Sequence, residues 1–215
     1  MTDLAQSMSA TSAAKRGRPK KDPATAQARQ KLIRSGLIHL TERGYSSVGV
    51  DEVLTHAGVP KGSFYHYFRN KEEFGGQLIS AYHAYFSAKL HISFSNPKLP
   101  ALKRLAAFVE DAEAGMARHG FRRGCLVGNL GQEMAALPES FRSQLICVLE
   151  DWQARTAKCL RLAQDEGTLS STQDAKALAA FFWIGWEGAV LRSKLERDAA
   201  PLRIFSNSFF TLLTA

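Results

Sequence analysis

The sequence VDEVLTHAGVPKGSFYHYFRNK, residues 50–71, contains two short helical segments on either side of a break. Apolar residues recur at helical spacing on both sides of that break, and they are Val50, Val53, Leu54 and Ala57, then Phe64 and Phe68. Gly58 can adopt the positive φ that ends a helix. Pro60 stands where a second helix can begin, because its missing N–H needs no partner there. Two short helices joined by a turn of about three or four residues form a helix-turn-helix.

The second segment leaves polar and aromatic side chains off its apolar stripe. Hydroxyl, amino and imidazole groups of this kind reach phosphates and base edges in a major groove. Those side chains are Lys61, Ser63, Tyr65, His66 and Tyr67. The pattern therefore predicts a recognition helix, and the alternative is an ordinary helical hairpin with a surface cluster of tyrosine and histidine.

The string KGSFYHYF at residues 61–68, followed by Lys71 and Phe74, resembles the recognition-helix signature of the TetR family of transcriptional repressors. The resemblance implies an all-α homodimer. Each subunit then has an N-terminal three-helix helix-turn-helix domain and a C-terminal helical domain for ligand binding and dimerisation. We expect a disordered basic arm over residues 1–23, a DNA-binding domain over 24–70 and the larger domain over 71–215.

By this resemblance, DNA contacts come from the recognition helix and from the starts of the two helices around it. The predicted contacts are Ser47, Lys61, Gly62, Ser63, Tyr65, His66, Tyr67 and Lys71. The sequence leaves open which of Tyr65 and Tyr67 faces DNA, and His66 has the alternative of packing against the protein. The family often has threonine where Val48 stands, so that contact is not carried over.

A basic run, KRGRPKK at residues 15–21, precedes the first predicted helix. Within it, Arg16-Gly17-Arg18-Pro19 resembles an AT-hook core. An extended Arg-Gly-Arg can lie in a narrow A·T-rich minor groove, where the negative potential is deepest. Arg16 and Arg18 are therefore predicted DNA contacts, and the alternative is a solvated basic tail that makes loose phosphate contacts.

Composition and charge fit a globular DNA-binding protein. The 215 residues carry a formal net charge of +8, and residues 1–75 hold 12 lysines and arginines against 7 acidic residues. The basic excess therefore surrounds the helix-turn-helix, as a polyanion partner requires. Three cysteines without paired spacing predict neither a disulfide framework nor a metal cluster. No apolar run is long enough to span a membrane, and we expect a cytoplasmic protein without metal or cofactor.

Helices are expected along the rest of the chain. The first runs from about Pro23 to Arg43 and ends at Gly44. A capping box of Asn70 and Glu73 begins a long helix that reaches about Phe94, with inward residues Phe74, Leu78, Ala81, Tyr82, Tyr85 and Phe86. Further helices are expected at about 100–119, 138–166, 173–197 and 201–214, with short helical turns over 120–136.

The segment GFRRGCLVGNLGQEM, residues 120–134, is the predicted sensor. Its Gly-Cys-Leu sequence resembles a TetR-family subgroup that senses electrophiles or small unsaturated acids, including repressors of N-ethylmaleimide reductase and of acrylate utilisation. By that resemblance Cys125 is the candidate sensor residue, and a thiolate there, favoured by Arg122 and Arg123, could add to an α,β-unsaturated compound. The alternatives are reversible binding beside Cys125 and a cysteine that is merely a small buried hydrophobe. The other two cysteines, Cys147 and Cys159, lie at helical spacing among apolar residues and are predicted to be core.

The ligand pocket is expected inside the C-terminal domain, among aromatic residues and a few polar donors. Buried indole N–H groups need a partner, which favours the tryptophans among the aromatic candidates. The predicted ligand-binding residues are Tyr82, Phe86, Phe108, Cys125, Asn129, Gln132, Trp183 and Trp186.

The dimer interface is expected on the last two long helices. Small residues permit close helix approach, and the last helix has an apolar face too wide for a lone terminal helix. The predicted interface residues are Gly185, Gly188, Ala189, Phe205, Phe209 and Leu212. A symmetric four-helix interface fits the family resemblance, and the alternative is that the last helix packs only within its own chain.

These features together predict a repressor that a small molecule releases from a pseudo-palindromic double-stranded operator. Acrylate or a related unsaturated, electrophilic compound is the expected effector, and an unrelated hydrophobic effector of the efflux type is the alternative. A cysteine-dependent enzyme is the remaining alternative. It has little support, because His119 is the only histidine near Cys125 in sequence and no phosphate loop or serine-nucleophile turn is present.

Overall fold

The computed structural model describes residues 23–214, which are α-helical with connecting turns and contain no strand within that range. The helices are α1 (Pro23–Arg43), α2 (Val50–Ala57), α3 (Lys61–Tyr67), α4 (Lys71–Phe94), α5 (Ala101–Ala117), α6 (Leu126–Gln132), α7 (Glu139–Asp165), α8 (Ala175–Glu196) and α9 (Ala200–Thr214). The all-α fold class is confirmed, and the predicted helix bounds agree with the observed ones to within about two residues.

The helix-turn-helix forms where the local sequence predicts it. Gly58 ends α2 with φ +62°, and its amide donates to the Thr55 carbonyl while Val59 N–H reaches the Leu54 carbonyl. Pro60 is the residue before the first turn of α3. Helices α1, α2 and α3 pack against one another around Leu32, Val53, Phe64 and Phe68, each at most 1 % exposed.

Helix α4 begins at its predicted cap and connects the two parts of the chain. The Asn70 side chain accepts the Glu73 N–H at 2.7 Å, while Glu73 accepts the Arg69 N–H at 2.9 Å rather than the amide of Asn70 itself. The first bond satisfies an N–H group that the helix start leaves without a partner, and the second joins the residue before the cap to the first turn. Helix α4 then packs against α1 at one end and against α5 and α7 along its length.

The C-terminal core is a cluster of aromatic rings between α4, α5, α7 and α8. Ring centroids of Trp152 and Trp183 lie 4.9 Å apart, and those of Phe86 and Trp152 lie 4.5 Å apart. The Trp183 indole N–H donates to the Thr156 hydroxyl at 3.0 Å. Helix α9 closes the far side of α8, where Phe182, Phe205 and Phe209 pack together.

Two expectations about buried residues were wrong. Cys147 is exposed, because the inward stripe of α7 runs through Leu145, Val148 and Trp152 and leaves the residue before Val148 pointing outward. Tyr85 is 57 % exposed, whereas the neighbouring Phe86 turns its ring into the core. Cys159 is buried as expected, and its thiol donates to the Ala101 carbonyl at 3.3 Å.

None of the helices within residues 23–214 combines the length and apolar character needed to cross a bilayer.

Candidate DNA-binding surface and effector cavity

Helix α3 presents one face to solvent and one to the core. Phe64 and Phe68 are buried, whereas Lys61, Gly62 and His66 are exposed and Ser63 is half-buried. Tyr65 is 63 % exposed. Tyr67 is half-buried and packs against the core of the domain. The tyrosine that projects furthest towards a docked duplex is thus Tyr65.

The Lys61 ammonium is not free in this structure. It lies 2.9 Å from the Asp51 carboxylate of α2, and this hydrogen bond raises the pKa of the Lys61 side chain. Both side chains are about 70 % exposed. Exposed ion pairs contribute little net stability, so Lys61 can exchange Asp51 for a DNA phosphate at low cost.

The Lys71 side chain turns towards the end of α1. Its ammonium donates to the Tyr45 carbonyl at 2.9 Å and lies 4.3 Å from the Tyr45 ring centroid. Partial burial lowers the pKa of Lys71. The Ser47 hydroxyl donates to the Arg43 carbonyl at 2.7 Å and stays exposed. Arg16 and Arg18 lie outside the described residues.

A cavity of about 200 Å³ lies between α4, α5, α8 and the segment that precedes α6. Five of the predicted ligand-binding residues line it, and they are Tyr82, Phe86, Phe108, Cys125 and Trp186. Cations surround it as well, namely Lys89, Arg118 and Arg123. The cavity therefore combines apolar aromatic walls with a basic rim.

The other three predicted ligand-binding residues lie elsewhere. Trp183 is buried in the aromatic core, with its N–H on Thr156. Asn129 donates to the carbonyls of Leu40 and Thr41, each at 2.9 Å. Gln132 is exposed near the end of α6. Asn129 and Gln132 lie close to Cys125 along the chain, but the two-turn helix α6 carries them away from the cavity.

Cys125 sits in surroundings that oppose ionisation. Burial raises the pKa of its thiol well above the usual value, and the nearby Glu187 carboxyl raises it further. Arg122 is exposed, and Arg123 pairs with Glu42 at 3.0 Å instead of with the sulfur. Burial and Glu187 therefore oppose a thiolate at Cys125 in the free protein, and Arg123 interacts with Glu42 instead.

Glu187 is the acidic residue that lines this cavity, and the sequence analysis did not predict it. It shares the cavity with Cys125 and Tyr82, and burial raises the pKa of its carboxyl to about 7. The one available signal is that Glu187 is the only acidic residue in the apolar run 181–191, FFWIGWEGAVL. A buried acid in such a run needs a partner or a proton.

A larger space of about 730 Å³ lies between α1 and α4, lined in part by Arg29, Arg34 and Tyr85. It does not reach Cys125, Phe108 or Trp186. We take the smaller cavity as the effector site, because it brings a buried thiol and a buried carboxyl against the aromatic core.

Helix α6 connects this cavity to the DNA-binding domain. Cys125 precedes its first turn, and Glu133 follows its last residue. The Glu133 carboxylate accepts the Tyr45 N–H at 2.9 Å and the Ser46 N–H at 2.7 Å, in the turn between α1 and α2. Gly124 N–H donates to the Thr41 carbonyl at 3.0 Å. Helix α6 and its flanking residues thus lie between Cys125 and the end of α1.

Comparison with known proteins agrees with this arrangement. The family described as "Bacterial regulatory proteins, tetR family" matches residues 32–75, which include the helix-turn-helix. The family described as "Tetracyclin repressor-like, C-terminal domain" matches residues 101–209. The chain belongs to the TetR family. It is a transcriptional repressor of that family, and repressors of this kind bind operator DNA and usually act as dimers.

Relatives within the TetR family extend the similarity over most of the chain. The transcriptional regulator AcuR of Cereibacter sphaeroides is 61 % identical over 91 % of this chain and 89 % of its own length. The repressor NemR of Escherichia coli is 29 % identical over 81 % of this chain and 87 % of its own. A crystal structure of a regulatory protein TetR from Rhodobacter sphaeroides superposes with a TM-score of 0.84 at 63 % identity, covering 85 % of this chain and 96 % of that one. These names describe regulators rather than enzymes.

The residues predicted for the TetR-family dimer interface fall into two groups. Gly185 lies against the Phe205 ring of its own chain, and a Cβ there would collide with that ring. Ala189 and Phe209 are buried within the chain. By contrast, Gly188 is exposed and Leu212 is 46 % exposed.

Gly188 and Leu212 share the surface of α8 and α9 with large apolar side chains that are also exposed. The exposed fractions are 51 % for Phe181, 73 % for Ile184, 73 % for Leu195 and 68 % for Ile204. Contiguous exposed apolar side chains mark an association surface.

Proposed function

We propose that this TetR-family repressor is released from its operator by a small molecule that binds in the cavity beside Cys125. The observation that carries the proposal is the position of α6. One end of this helix borders the cavity, and the other holds the turn between α1 and α2 through Glu133. A ligand that prefers a different placement of α6 shifts the population away from the DNA-competent state.

The proposed effector is a small unsaturated acid such as acrylate, or a related electrophile. A cavity of about 200 Å³ suits a small molecule, and the exposed Arg118, beside the ion-paired Lys89 and Arg123, attracts a carboxylate to its rim. The high identity to AcuR and the similarity to NemR favour the same subgroup. Because Cys125 is held as a thiol, binding is reversible rather than a spontaneous covalent capture.

The proposed DNA complex contains one recognition helix from each subunit of a homodimer in successive major grooves of a pseudo-palindrome. Tyr65, His66 and Lys61 are the exposed residues of α3 that would meet the duplex, and Lys71 adds a phosphate contact if its ammonium keeps a free N–H beside Tyr45. The exposed apolar side chains of α8 and α9 would form the subunit interface. We assign DNA binding to residues 24–70, and effector binding and dimerisation to residues 71–215.

A larger hydrophobic effector, as in efflux regulators, is the second candidate. The aromatic walls formed by Phe86, Phe108 and Trp186 favour it, whereas the small volume and the basic rim favour an acid. The two candidates differ in what releases the DNA.

The test is binding to the DNA upstream of the protein's own gene, with and without acrylate, repeated with Cys125→Ser. We expect specific binding that acrylate reverses in both proteins. Release of wild type but not of Cys125→Ser would contradict reversible binding and favour covalent capture. Specific binding that ignores acrylate but responds to hydrophobic compounds would replace the acid by the second candidate. Failure to bind any site in a genome-wide search would contradict the repressor function.

A further inference from the structure

The side chain of Glu187 lines the cavity, and one of its carboxyl oxygens has no hydrogen-bond partner among the described residues. Its Oε2 is inaccessible to solvent and has no hydrogen-bond partner among the described residues. The side chain lies against the α6 backbone at Gly128, where a Cβ would collide with that oxygen. A buried polar atom without a partner costs free energy.

Among the described residues, no side chain neutralises Glu187 in the way that Arg155 neutralises Asp151 on α7. Asp151 accepts hydrogen bonds from Arg155, His83 and Ser87, which outweigh the effect of burial and lower its pKa to about 2. Glu187 has only the Cys125 thiol to lower its pKa, and burial outweighs that contact. Glu187 is therefore substantially protonated near neutral pH.

The cations at the rim do not form ion pairs with Glu187, because two of them are paired with other carboxylates. Lys89 lies 2.5 Å from Asp111, and Arg123 lies 3.0 Å from Glu42. Arg118 is exposed at the end of α5. Positive charge thus lies at the rim of the cavity, while the inner polar end consists of a carboxyl, a thiol and the Tyr82 hydroxyl.

We propose that protonated Glu187 selects the effector, by donating a hydrogen bond to the carboxylate of a small organic acid held beside Cys125. The inference rests on the proposed function and names the residue that recognises the acid. An O–H···O⁻ bond of this type is short and charge-assisted. Ionised Glu187 instead repels the same carboxylate across a site with low dielectric. Affinity for the acid is therefore present below the pKa of Glu187 and falls as pH rises through it.

Other titratable groups that face the cavity do not account for this pH dependence, with one exception. Burial keeps Cys125 and Tyr82 neutral by raising their pKa values. His119 is a further ionisable side chain that lines the cavity. It must therefore be removed as a control.

The experiment measures the acrylate concentration that releases half of the bound operator DNA at about pH 6 and about pH 8. Wild type, Glu187→Gln, Glu187→Met and His119→Gln are compared, each relative to its own DNA affinity without acrylate. A carboxyl that titrates near 7 changes its protonated fraction about tenfold over this range. We expect the half-release concentration to rise by about that factor in wild type and in His119→Gln.

Glutamine keeps an N–H donor but does not titrate, so Glu187→Gln should respond to acrylate equally at both pH values. Methionine lacks the donor, so Glu187→Met should need at least about tenfold more acrylate at the lower pH. Circular dichroism checks that each variant is helical, and His119→Gln tests the inference even if a Glu187 variant does not fold.

A wild-type pH dependence that survives in Glu187→Gln, or that disappears in His119→Gln, overturns the inference and leaves the proposed function intact. Wild-type protein that binds the operator but ignores acrylate at both pH values overturns the proposed effector and this inference together.

Discussion

At the scale of single residues, α3 separates two tyrosines that the sequence presents as equivalents. Residues two apart on a helix point about 200° away from each other. The two tyrosines lie on opposite flanks of the buried face formed by Phe64 and Phe68, each about 80° from its centre. Tyr67 packs against the core of the domain, whereas Tyr65 is 63 % exposed. Only one of the two tyrosines can therefore project fully towards DNA.

We accordingly expect Tyr65→Ala to weaken operator binding by about 1 kcal/mol or more, since it removes a hydroxyl that reaches phosphate. The melting temperature of the Tyr65→Ala protein should stay near that of wild type. Tyr67→Ala should instead lower the free energy of unfolding by about 1–2 kcal/mol, because half-buried packing is lost. Fluorescence anisotropy and thermal melting separate the two effects.

Tyr65→Phe serves as the matched control, because it keeps the ring and removes only the hydroxyl. An operator affinity unchanged in Tyr65→Ala would show that α3 docks with another face, and would redirect attention to Tyr67 and Ser63.

At the scale of elements, α6 connects the cavity to the turn between α1 and α2 in the DNA-binding domain. It contains only two turns, yet its residues contact α1, α4 and α7. Asn129 holds the last carbonyls of α1, and Glu133 holds the amides just beyond them. The sequence analysis did not assign α6 this role. In the structure, the residue before α6 lines the cavity, and the residue after it accepts hydrogen bonds from the amides of Tyr45 and Ser46.

Glu133→Ala should therefore reduce the coupling between acrylate and DNA by about 0.5–2 kcal/mol. Coupling is read from the ratio of operator affinities without and with saturating acrylate. Gln132→Ala is the control, since this neighbour is exposed and lies off the path. Equal loss of coupling in both variants would argue that any disturbance of this segment suffices and that the Glu133 bonds have no special part.

At the scale of the whole molecule, the exposed apolar side chains of α8 and α9 remain uncovered in a single chain. Phe181, Ile184 and Leu195 recur at helical spacing along α8, and Ile204 and Leu212 do so along α9. A second copy would cover both helices at once. Two recognition helices at fixed separation follow from that pairing.

Ile184→Lys should therefore convert the dimer to a monomer, because the lysine would place an unpaired charge in the interface. Operator binding should fall more than tenfold, because a monomer makes half of the DNA contacts. Ile92→Lys is the control. Ile92 is equally exposed, at 74 % against 73 %, but it lies on α4. Light scattering and anisotropy report the two properties. A dimer that persists in Ile184→Lys would place the interface on another surface.

Local physical chemistry was sufficient to predict the helices of the DNA-binding domain and the start of α4. Helical periodicity, Gly58, Pro60 and the Asn70 cap specify the helix-turn-helix and the start of α4 within a few residues of sequence, because backbone hydrogen bonds and caps are satisfied locally. The TetR-family resemblance rests on the same short stretch. Five of the eight predicted ligand-binding residues share one cavity, since aromatic residues at helical spacing tend to meet in a core.

The remaining features depend on which helix covers which face, and periodicity does not contain that information. Helix α8 is apolar nearly all round, so the sequence could not show that Gly185 and Ala189 face their own chain while Ile184 and Gly188 face outward. In the sequence, Glu187 is a single acid in an apolar run. Only the packing of α4, α5 and the α6 segment around it places Glu187 beside Cys125. Burial by distant segments sets the protonation of both groups, which makes the chemistry of the cavity a property of the tertiary structure.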